Sequence, residues 1–276
     1  MVKKAVFDFF TSWITTMFSG ILSEADTITS IVTQTPVQVF GQDFWDSLLK
    51  IGTSAVMPFA ILILSFCMAF DMYKVYCRSN GAPNMELISF TFIKYIIPFF
   101  CVTYTYDILQ FIFDKVNGMV LTLYQQVTMG TGNSIDTNAW LQEISQMNWW
   151  SKLGLTLQLI GPWFGTQILV VISTVIVYGR LFEIVMYWIF APIPFATFVN
   201  DDLRHSIGIN FIKMFAALIL QGGFIVLSVA LYLMLVKSVT IQTTVSGVFA
   251  MLGYSSVLVV VMAKTGSMSK RLLGTF

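Results

Sequence analysis

Two prolines interrupt an apolar segment of this chain, and no other feature of the sequence restricts its fold so strongly. Leu181 to Val199 is a run of 19 residues in which Glu183 is the only charged side chain. An unbroken helix of this length, ~28 Å, would just cross a bilayer core of ~30 Å. Pro192 and Pro194 lack the N–H group that a helix needs, and each disfavours helical backbone at the residue before it. The sequence therefore predicts that the helix kinks or stops at Ala-Pro-Ile-Pro.

Such a break frees carbonyl groups that lipid cannot hydrogen-bond. A broken segment is tolerated only where other protein segments or a water-filled cavity surround it. We therefore predict that residues 181–199 lie inside an assembly as a re-entrant or interfacial segment. The residues predicted to belong to this break or to a conduit beside it are Pro192, Pro194, Phe195 and Gln221.

The composition indicates which solvent the chain folds in. Hydrophobic residues make up 57% of the 276 residues and charged residues 11%, whereas soluble domains contain ~25% charged residues. We predict an all-α integral membrane protein. The net charge of +1 and the absence of a Lys/Arg-rich run give no polyanion-binding surface, so any contact with nucleic acid is indirect or transient. The three cysteines match neither a disulfide framework nor a metal-binding spacing.

Five apolar runs are long enough for transmembrane helices. A further stretch, residues 2–22, has apolar residues at helical spacing with polar residues between them, which predicts an N-terminal amphipathic helix in the membrane interface. A first transmembrane helix and a signal peptide are the alternatives for this stretch. The predicted spans are Gly52–Phe70, Leu87–Tyr106, Leu153–Tyr178, Phe211–Val236 and Val248–Ala263.

The runs divide the chain into five parts. Between the N-terminal helix and the first span, residues 23–48 are predicted to form a loop with a short helix near Phe44 and Trp45. The parts are an amphipathic helix with an external segment (1–50), a transmembrane hairpin (51–106), an external loop (107–152), a transmembrane core that includes the broken segment (153–263) and a cytoplasmic tail (264–276).

The basic residues predict an orientation. Lys74 and Arg78 place the first short loop in the cytoplasm by the positive-inside rule, and the tail carries Lys264, Lys270 and Arg271. If residues 181–199 enter and return, five crossings place the N-terminus outside and the C-terminus inside. Six full spans, or an N-terminal helix that crosses the membrane, are the alternatives.

Glycines on the third predicted span favour close helix packing. Gly161 and Gly165 form a G-x-x-x-G pattern that permits close approach of two backbones, and Gly154 lies two turns before Gly161. We predict that several copies of the chain pack through Gly154, Gly161 and Gly165. In this arrangement the proline break faces the centre of the oligomer.

The densest group of charges in the chain surrounds the proline break. Arg180 and Glu183 are three residues apart, a spacing that allows them to pair on one helical face at the membrane boundary. Two consecutive aspartates favour the start of the helix that leads to Phe211. Structural anchoring and docking of a cytoplasmic partner both fit these charges. The predicted docking residues are Arg180, Glu183, Asp201, Asp202, Arg204 and Lys213.

The sequence contains no motif for catalysis. A phosphate-binding loop, a G-x-S-x-G nucleophile elbow, an H-E-x-x-H zinc motif and a cluster of metal ligands are all missing from it. The single histidine, His205, stands in a predicted cytoplasmic turn. We predict no catalytic residue, no metal, no cofactor and no enzymatic activity.

The central motifs resemble a known family. Arg-x-x-Glu before an apolar run, Ala-Pro-Ile-Pro-Phe-Ala, Gly208-x-Asn210-Phe211-x-Lys213 and Leu220-Gln221-Gly222 are similar to the shared core of TrbL-like proteins. These are polytopic membrane channel subunits of type IV secretion and conjugative transfer systems. The resemblance is strongest over residues 179–224. It implies a homo-oligomer in the bacterial inner membrane, beneath extracellular subunits and beside cytoplasmic transfer ATPases, with DNA or protein as the transferred substrate.

A chain without nucleotide-binding machinery cannot drive transport by itself. Together with the resemblance, this predicts a passive channel or scaffold subunit of a conjugative transfer machine. One alternative is a structural membrane scaffold that recruits soluble partners without forming a conduit. Another is a secondary transporter, for which a second broken segment in the other half of the chain is expected, but only one run carries a proline pair.

Overall fold

The structure is a computed structural model that describes residues 12, 27–78, 85–131, 148–199, 204–239 and 245–275. Every regular element in these residues is helical, which confirms the all-α class. Residues 27–33 are helical. The helices after them are α1 (Pro36–Phe40), α2 (Gln42–Ile51), α3 (Met57–Arg78), α4 (Met85–Thr103), α5 (Thr105–Thr131), α6 (Trp149–Phe190), α7 (Pro192–Ala196), α8 (Asn210–Val239) and α9 (Val245–Leu272).

Local sequence signals begin and end the first helices. Thr35 caps α1: its hydroxyl accepts the N–H of Gln38, whose side chain accepts the N–H of Thr35. Gly41, at φ 88°, separates α1 from α2 in a backbone conformation that favours glycine. A π-helical turn, Gly52–Val56, joins α2 to α3. The result is one continuous helix, Gln42–Cys77, with an apolar stretch long enough to cross a membrane.

The structure contains helices that can cross a membrane. Three are long and apolar enough in the described residues: Gln42–Cys77, Trp163–Phe190 and Ile207–Leu235. A fourth crossing exists if Ile88–Thr103 and Thr105–Gln126 form one broken span. Three or four of the five predicted spans are thus present, and α9, which contains the predicted span 248–263, is not among them. Many large apolar side chains on these helices are exposed, as expected for an integral membrane protein.

The 65° bend between α4 and α5 coincides with side chains that disturb the helix main chain. The Thr103 hydroxyl donates to the Phe99 carbonyl (2.9 Å), and the Thr105 hydroxyl donates to the Cys101 carbonyl (2.7 Å). Threonine hydroxyls bonded in this way bend helices. Pro98 removes one N–H from the preceding turn.

Two predicted non-helical segments are helical. The predicted external loop, 107–152, begins with most of α5, and the predicted tail, 264–276, begins with the last two turns of α9. For α5 the reason is burial: Leu109, Phe113 and Val120 recur on one face and are removed from solvent. The polar residues between them give this amphipathic helix the composition of a loop. Likewise, residues 27–33 and α1 occupy part of the predicted loop 23–48, whereas α2 lies where the short helix near Trp45 was predicted.

The third predicted span and the segment that follows it form one helix. The 42-residue α6 runs from Trp149 to Phe190 without interruption at Gly179 and Arg180. The prediction that residues 181–199 form a separate re-entrant segment is therefore wrong for residues 181–190. The predicted N-terminal helix, 2–22, lies outside the described residues except for Ser12, which is helical.

The chain forms two compact units whose boundaries differ from the predicted parts. Unit 1 consists of Met1–Gln34, Met119–Gly179 and Gln221–Ser267, and unit 2 of Thr35–Gly118, Arg180–Leu220 and Met268–Phe276.

An aromatic cluster centred on Trp188 forms the core of unit 2. Trp45 and Phe215 meet the Trp188 ring edge-on, with centroids 5.1 and 5.6 Å away, and Phe113 lies 5.6 Å away at a tilt. Edge-to-face geometry is the favoured arrangement of such rings. Leu109, Ile184 and Leu218 complete this core.

Branched side chains form the core of unit 1. Val120, Val177, Ile225 and Val229 are buried together with Met262. The Tyr232 and Ser255 hydroxyls, 3.0 Å apart, share a hydrogen bond between α8 and α9.

Candidate functional site at the proline break

The helix is interrupted where the sequence predicts it. α6 ends at Phe190, Ala191 forms a turn, and α7 begins at Pro192. The backbone of Ala191 nevertheless remains helical, with φ −55° and ψ −34°, so the expected shift of this residue to extended geometry does not occur. Pro192 cannot donate to the Trp188 carbonyl, so α6 ends before it, and Pro192 stands in the first turn of α7, where an N–H is not needed. The break therefore results from the lost hydrogen bonds and not from a change of backbone region.

Protein groups bind the carbonyls around the break. The Ala191 N–H donates to the Trp188 carbonyl at 3.4 Å, in place of the N–H that Pro192 lacks. The Tyr106 hydroxyl donates to the Ile189 carbonyl at 3.3 Å. On the other side of the break, the Thr197 hydroxyl donates to the Pro194 carbonyl at 2.7 Å. The enclosure that an apolar solvent requires is thus provided by unit 2 of the chain itself.

Gly52 makes room for the Tyr106 hydroxyl. A Cβ atom at Gly52 would overlap this hydroxyl and lie 3.0 Å from the ring carbon that bears it. Neither residue was predicted to act at the break, because Tyr106 stands at the end of one predicted span and Gly52 at the start of another. The sequence signal for this contact is Gly52 itself, because a glycine within a predicted helix often marks a site of close packing.

The side chains of the break lie in the interior of unit 2. Phe195 is 2% exposed, and its ring lies 5.4 Å from that of Phe198 and 6.1 Å from that of Phe211. Pro192 is buried, and Pro194 is partly buried. These positions agree with a place in the broken segment, and a conduit between copies beside the break stays a prediction.

Arg180 is a buried cation in the C-terminal part of α6. It is 3% exposed, and its Nε and Nη2 atoms donate to the Leu218 and Ile219 carbonyls of α8 at 2.8 and 3.0 Å. The guanidinium thus joins two helices inside unit 2. Its burial does not agree with the predicted docking role.

The other predicted docking residues are in different environments. Glu183 is exposed on α6 and Lys213 is exposed on α8. Glu183 is therefore in a different environment from the buried Arg180, with which it was predicted to pair. Asp201 and Asp202 lie outside the described residues, and of Arg204 only the π-helical backbone is described.

Gln221 lies in unit 1, in a polar contact between α8 and α9. Its side-chain amide donates to the Thr265 hydroxyl at 3.4 Å, and both groups are buried. A Cβ atom at Gly266 would lie 3.4 Å from the Gln221 amide nitrogen, an ordinary van der Waals distance, so the amide packs beside Gly266. Gln221 therefore ties two helices together within the chain.

The predicted packing glycines do not share one environment. A Cβ atom at Gly154 would meet nothing within 4 Å, whereas one at Gly165 would lie 2.8 Å from Leu252 of α9. Gly165 thus makes a close contact within unit 1, and its contact with another copy stays a prediction. The surroundings of Gly161 lie outside what the structure describes.

A polar surface on α5 was also missed by the sequence analysis. Asp107, Gln110, Asp114 and Lys115 are exposed in unit 2, at spacings that place them on one side of the helix. The Gln110 amide donates to the Asp114 carboxylate at 2.9 Å. These residues were predicted to lie in an external loop, because the polar side chains made the helical spacing of the buried apolar residues hard to recognise.

The described residues bring no three His, Cys, Asp or Glu side chains together in a way that would hold a metal ion. The polar groups around the break, on the residues that the structure covers, bind main-chain carbonyls and stabilise helices. This arrangement is that of a packed membrane helix bundle.

A family model described as TrbL/VirB6 plasmid conjugal transfer like protein matches residues 21–192, more than half of the chain. No curated protein and no solved structure is significantly similar to the chain. The match confirms the resemblance inferred from the sequence. It shares only residues 179–192 with the stretch 179–224 from which we inferred that resemblance, so most of the matching region lies before the proline break.

Proposed function

The chain belongs to the TrbL/VirB6 plasmid conjugal transfer like family, and from this premise we propose that it is an oligomeric channel subunit of a conjugative transfer machine. The family makes the chain a membrane component of such a system, and it is not a known enzyme family. In our proposal the subunit is a passive conduit in the bacterial inner membrane. Energy comes from cytoplasmic transfer ATPases, and the transferred DNA or protein touches the subunit transiently.

The exposed polar face of α5 carries this proposal. It belongs to a helix that qualifies as part of a membrane span together with α4, and it presents Asp107, Gln110, Asp114 and Lys115. Charged side chains within the bilayer face a bundle interior or a water-filled cavity, because exposure to hydrocarbon costs several kcal/mol. We infer that this face of α5 borders water in the assembled machine.

The buried face of α5 explains why the polar face points outward. Leu109 and Phe113 are buried in the core of unit 2, and their packing holds the helix in one rotational setting. A single chain leaves the polar face open. Several copies arranged around an axis would turn these faces toward a shared aqueous path, which is the reason for an oligomer in the proposal.

The charge on this face limits what it binds. Two carboxylates and one ammonium group give α5 no surface for a polyanion, and Lys115 lies over the Phe111 ring at 5.5 Å. Contact with transferred DNA is therefore proposed to be brief, with the path kept open by hydration.

Cysteine accessibility during transfer tests the proposal. Cysteines replace Asp107, Gln110 and Asp114 one at a time, and a membrane-impermeant thiol reagent is applied to cells with the assembled machine. We expect all three positions to react, because water reaches them. Modification with a bulky reagent should also lower the frequency of conjugal transfer, since it narrows the path.

Matched controls are Phe66→Cys on α3 and Ile97→Cys on α4, two exposed positions on apolar surfaces. They should react slowly and leave transfer unchanged. If the α5 positions are as unreactive as these controls, the face does not border water and the conduit proposal is wrong. If they react but bulky modification has no effect on transfer, the protein acts as a scaffold.

A further inference from the structure

An apolar groove lies between α3 and α4 in unit 2. Its volume is about 530 Å³, within the range of sites that hold small molecules. The wall contributed by α4 is largely aromatic, and the wall contributed by α3 is largely aliphatic. The lining residues are Ile61, Leu64, Ser65, Met68, Phe92, Tyr95, Ile96, Phe99 and Phe100.

A charged cluster adjoins one part of this groove. The Tyr95 hydroxyl donates to Asp71 Oδ2 at 3.0 Å. Lys94 Nζ lies 3.6 Å from the same oxygen, and Lys74 Nζ lies 3.9 Å from Asp71 Oδ1. Two ammonium groups therefore share one carboxylate, which leaves one positive charge without a balancing partner in the cluster.

The groove and the cluster form a continuous amphiphilic surface. Tyr95 lines the groove with its ring and bonds Asp71 with its hydroxyl, and Met68 of the groove lies one helical turn before Asp71. The side chains of Lys94 and Lys74 remain 37% and 52% exposed. Both ammonium groups are thus accessible to a ligand that also fills the groove.

We propose that this surface binds an anionic phospholipid, with an acyl chain in the groove and the phosphate beside Lys94 and Lys74. Excess positive charge matches the phosphate, and the aromatic and aliphatic walls match the acyl chain. Basic pockets between transmembrane helices on the cytoplasmic side bind such head groups. The cluster lies toward the short connection between α3 and α4 that the orientation prediction places on that side.

The position of the groove favours lipid over a partner polypeptide. Phe66 on α3 and Ile97 on α4, beside the lining residues in sequence, are largely exposed, as expected where hydrocarbon covers both helices. A lipid already present in the bilayer reaches such a groove without displacing another subunit. This proposal concerns the α3 and α4 surface alone and does not depend on the conduit.

Lipid binding by the purified protein in detergent tests the proposal. Native mass spectrometry counts bound lipid, with phosphatidylglycerol and phosphatidylcholine of identical acyl chains as the probes. We expect tighter binding of phosphatidylglycerol. In the double variant Lys74→Gln, Lys94→Gln its affinity should fall by roughly thirtyfold, because one basic residue near an anionic surface contributes a factor of about five. The affinity for phosphatidylcholine should change little.

Two further variants separate charge from shape. Lys50→Gln removes an exposed lysine of α2, away from the groove, and should leave lipid binding unchanged. Ser65→Phe fills the groove and should weaken the binding of both lipids. Each variant is compared only if it elutes as the unaltered protein does in size-exclusion chromatography and unfolds at a similar temperature in lipid-free detergent.

Equal affinity for the two lipids in the unaltered protein would overturn the proposal. So would the same selectivity in the double lysine variant. A third result against it would be a photo-cross-linker at residue 65 that captures another polypeptide in membranes and no phospholipid, since the groove would then be a protein interface.

Discussion

At the scale of single residues, the Tyr106 hydroxyl takes the place of water at the proline break. The Ile189 carbonyl that it binds is 83 residues away in the chain. Leaving a buried carbonyl without a partner costs about 1–3 kcal/mol, a large fraction of the stability of a typical domain. Gly52 is required for this hydrogen bond, because the Cβ atom of any other residue would overlap the Tyr106 hydroxyl.

Gly52→Ala should lower the stability of the protein. The new Cβ atom overlaps the Tyr106 hydroxyl, so either the ring or the π-helical turn must move, and overpacking of this kind costs roughly 1–3 kcal/mol. Thermal unfolding in detergent measures the effect. The control is Gly118→Ala in the same unit, where a Cβ atom meets nothing within 4 Å and alanine should stabilise the helix by up to ~1 kcal/mol. Equal melting temperatures for the two variants would show that Tyr106 is not held against Gly52.

At the scale of elements, Arg180 allows α6 to remain one helix for 42 residues. A charged residue after a glycine has the sequence signature of a turn, but the guanidinium finds two carbonyl acceptors on α8. Burying a charge is unfavourable unless hydrogen bonds compensate it. The planar guanidinium supplies several donors in a fixed geometry, whereas a lysine ammonium is a compact charge that cannot span two acceptors as well.

Arg180→Lys should therefore destabilise the protein more than Arg180→Met. Lysine keeps a buried charge with poorer hydrogen bonding, while methionine loses the hydrogen bonds but also removes the charge. A difference of about 1–3 kcal/mol is expected from the hydrogen bonds of charged groups. Thermal unfolding of both variants in the same detergent checks the order. The reverse order would mean that the charge itself, and not the fork of donors, stabilises the α6 and α8 pair.

At the scale of the whole molecule, the continuity of α6 leaves the predicted orientation unchanged. Because residues 181–190 continue the preceding span, the predicted re-entrant segment is lost and the number of membrane crossings stays the same. An odd number of crossings, which places the N-terminus outside and the C-terminus inside, then requires α9 to cross. α9 is 28 residues long but is not among the candidate spans found in the described residues, so α9 decides the topology.

Thiol labelling from one side of the membrane should report this crossing. Cys77 is exposed at the end of α3, and Ser267 is exposed near the end of α9. In a background with Cys67 and Cys101 replaced by serine, Cys77 and a cysteine at position 267 should both react only from the cytoplasmic side. A cysteine at Asn138, predicted to be external, should react from the outside and serves as the control. Reaction of position 267 from the outside would mean that α9 does not cross.

Several properties could be predicted from the sequence because neighbouring residues decide them. Composition identified the membrane as the solvent, since an apolar chain cannot expose its surface to water. Hydrophobic runs located most of the long helices. The position of the break followed from two prolines, because the loss of an N–H is a property of the residue itself. The motifs around the break were sufficient to infer the family.

Other properties depend on groups far apart in the chain, and the tertiary structure alone decided them. α6 continues past Gly179 because carbonyls 38 and 39 residues away accept the Arg180 guanidinium. α5 is helical because Leu109 and Phe113 are buried in the core around Trp188, while its polar face has the composition of a loop. A sequence shows which groups must be satisfied in an apolar solvent, but only the folded chain determines which distant groups satisfy them.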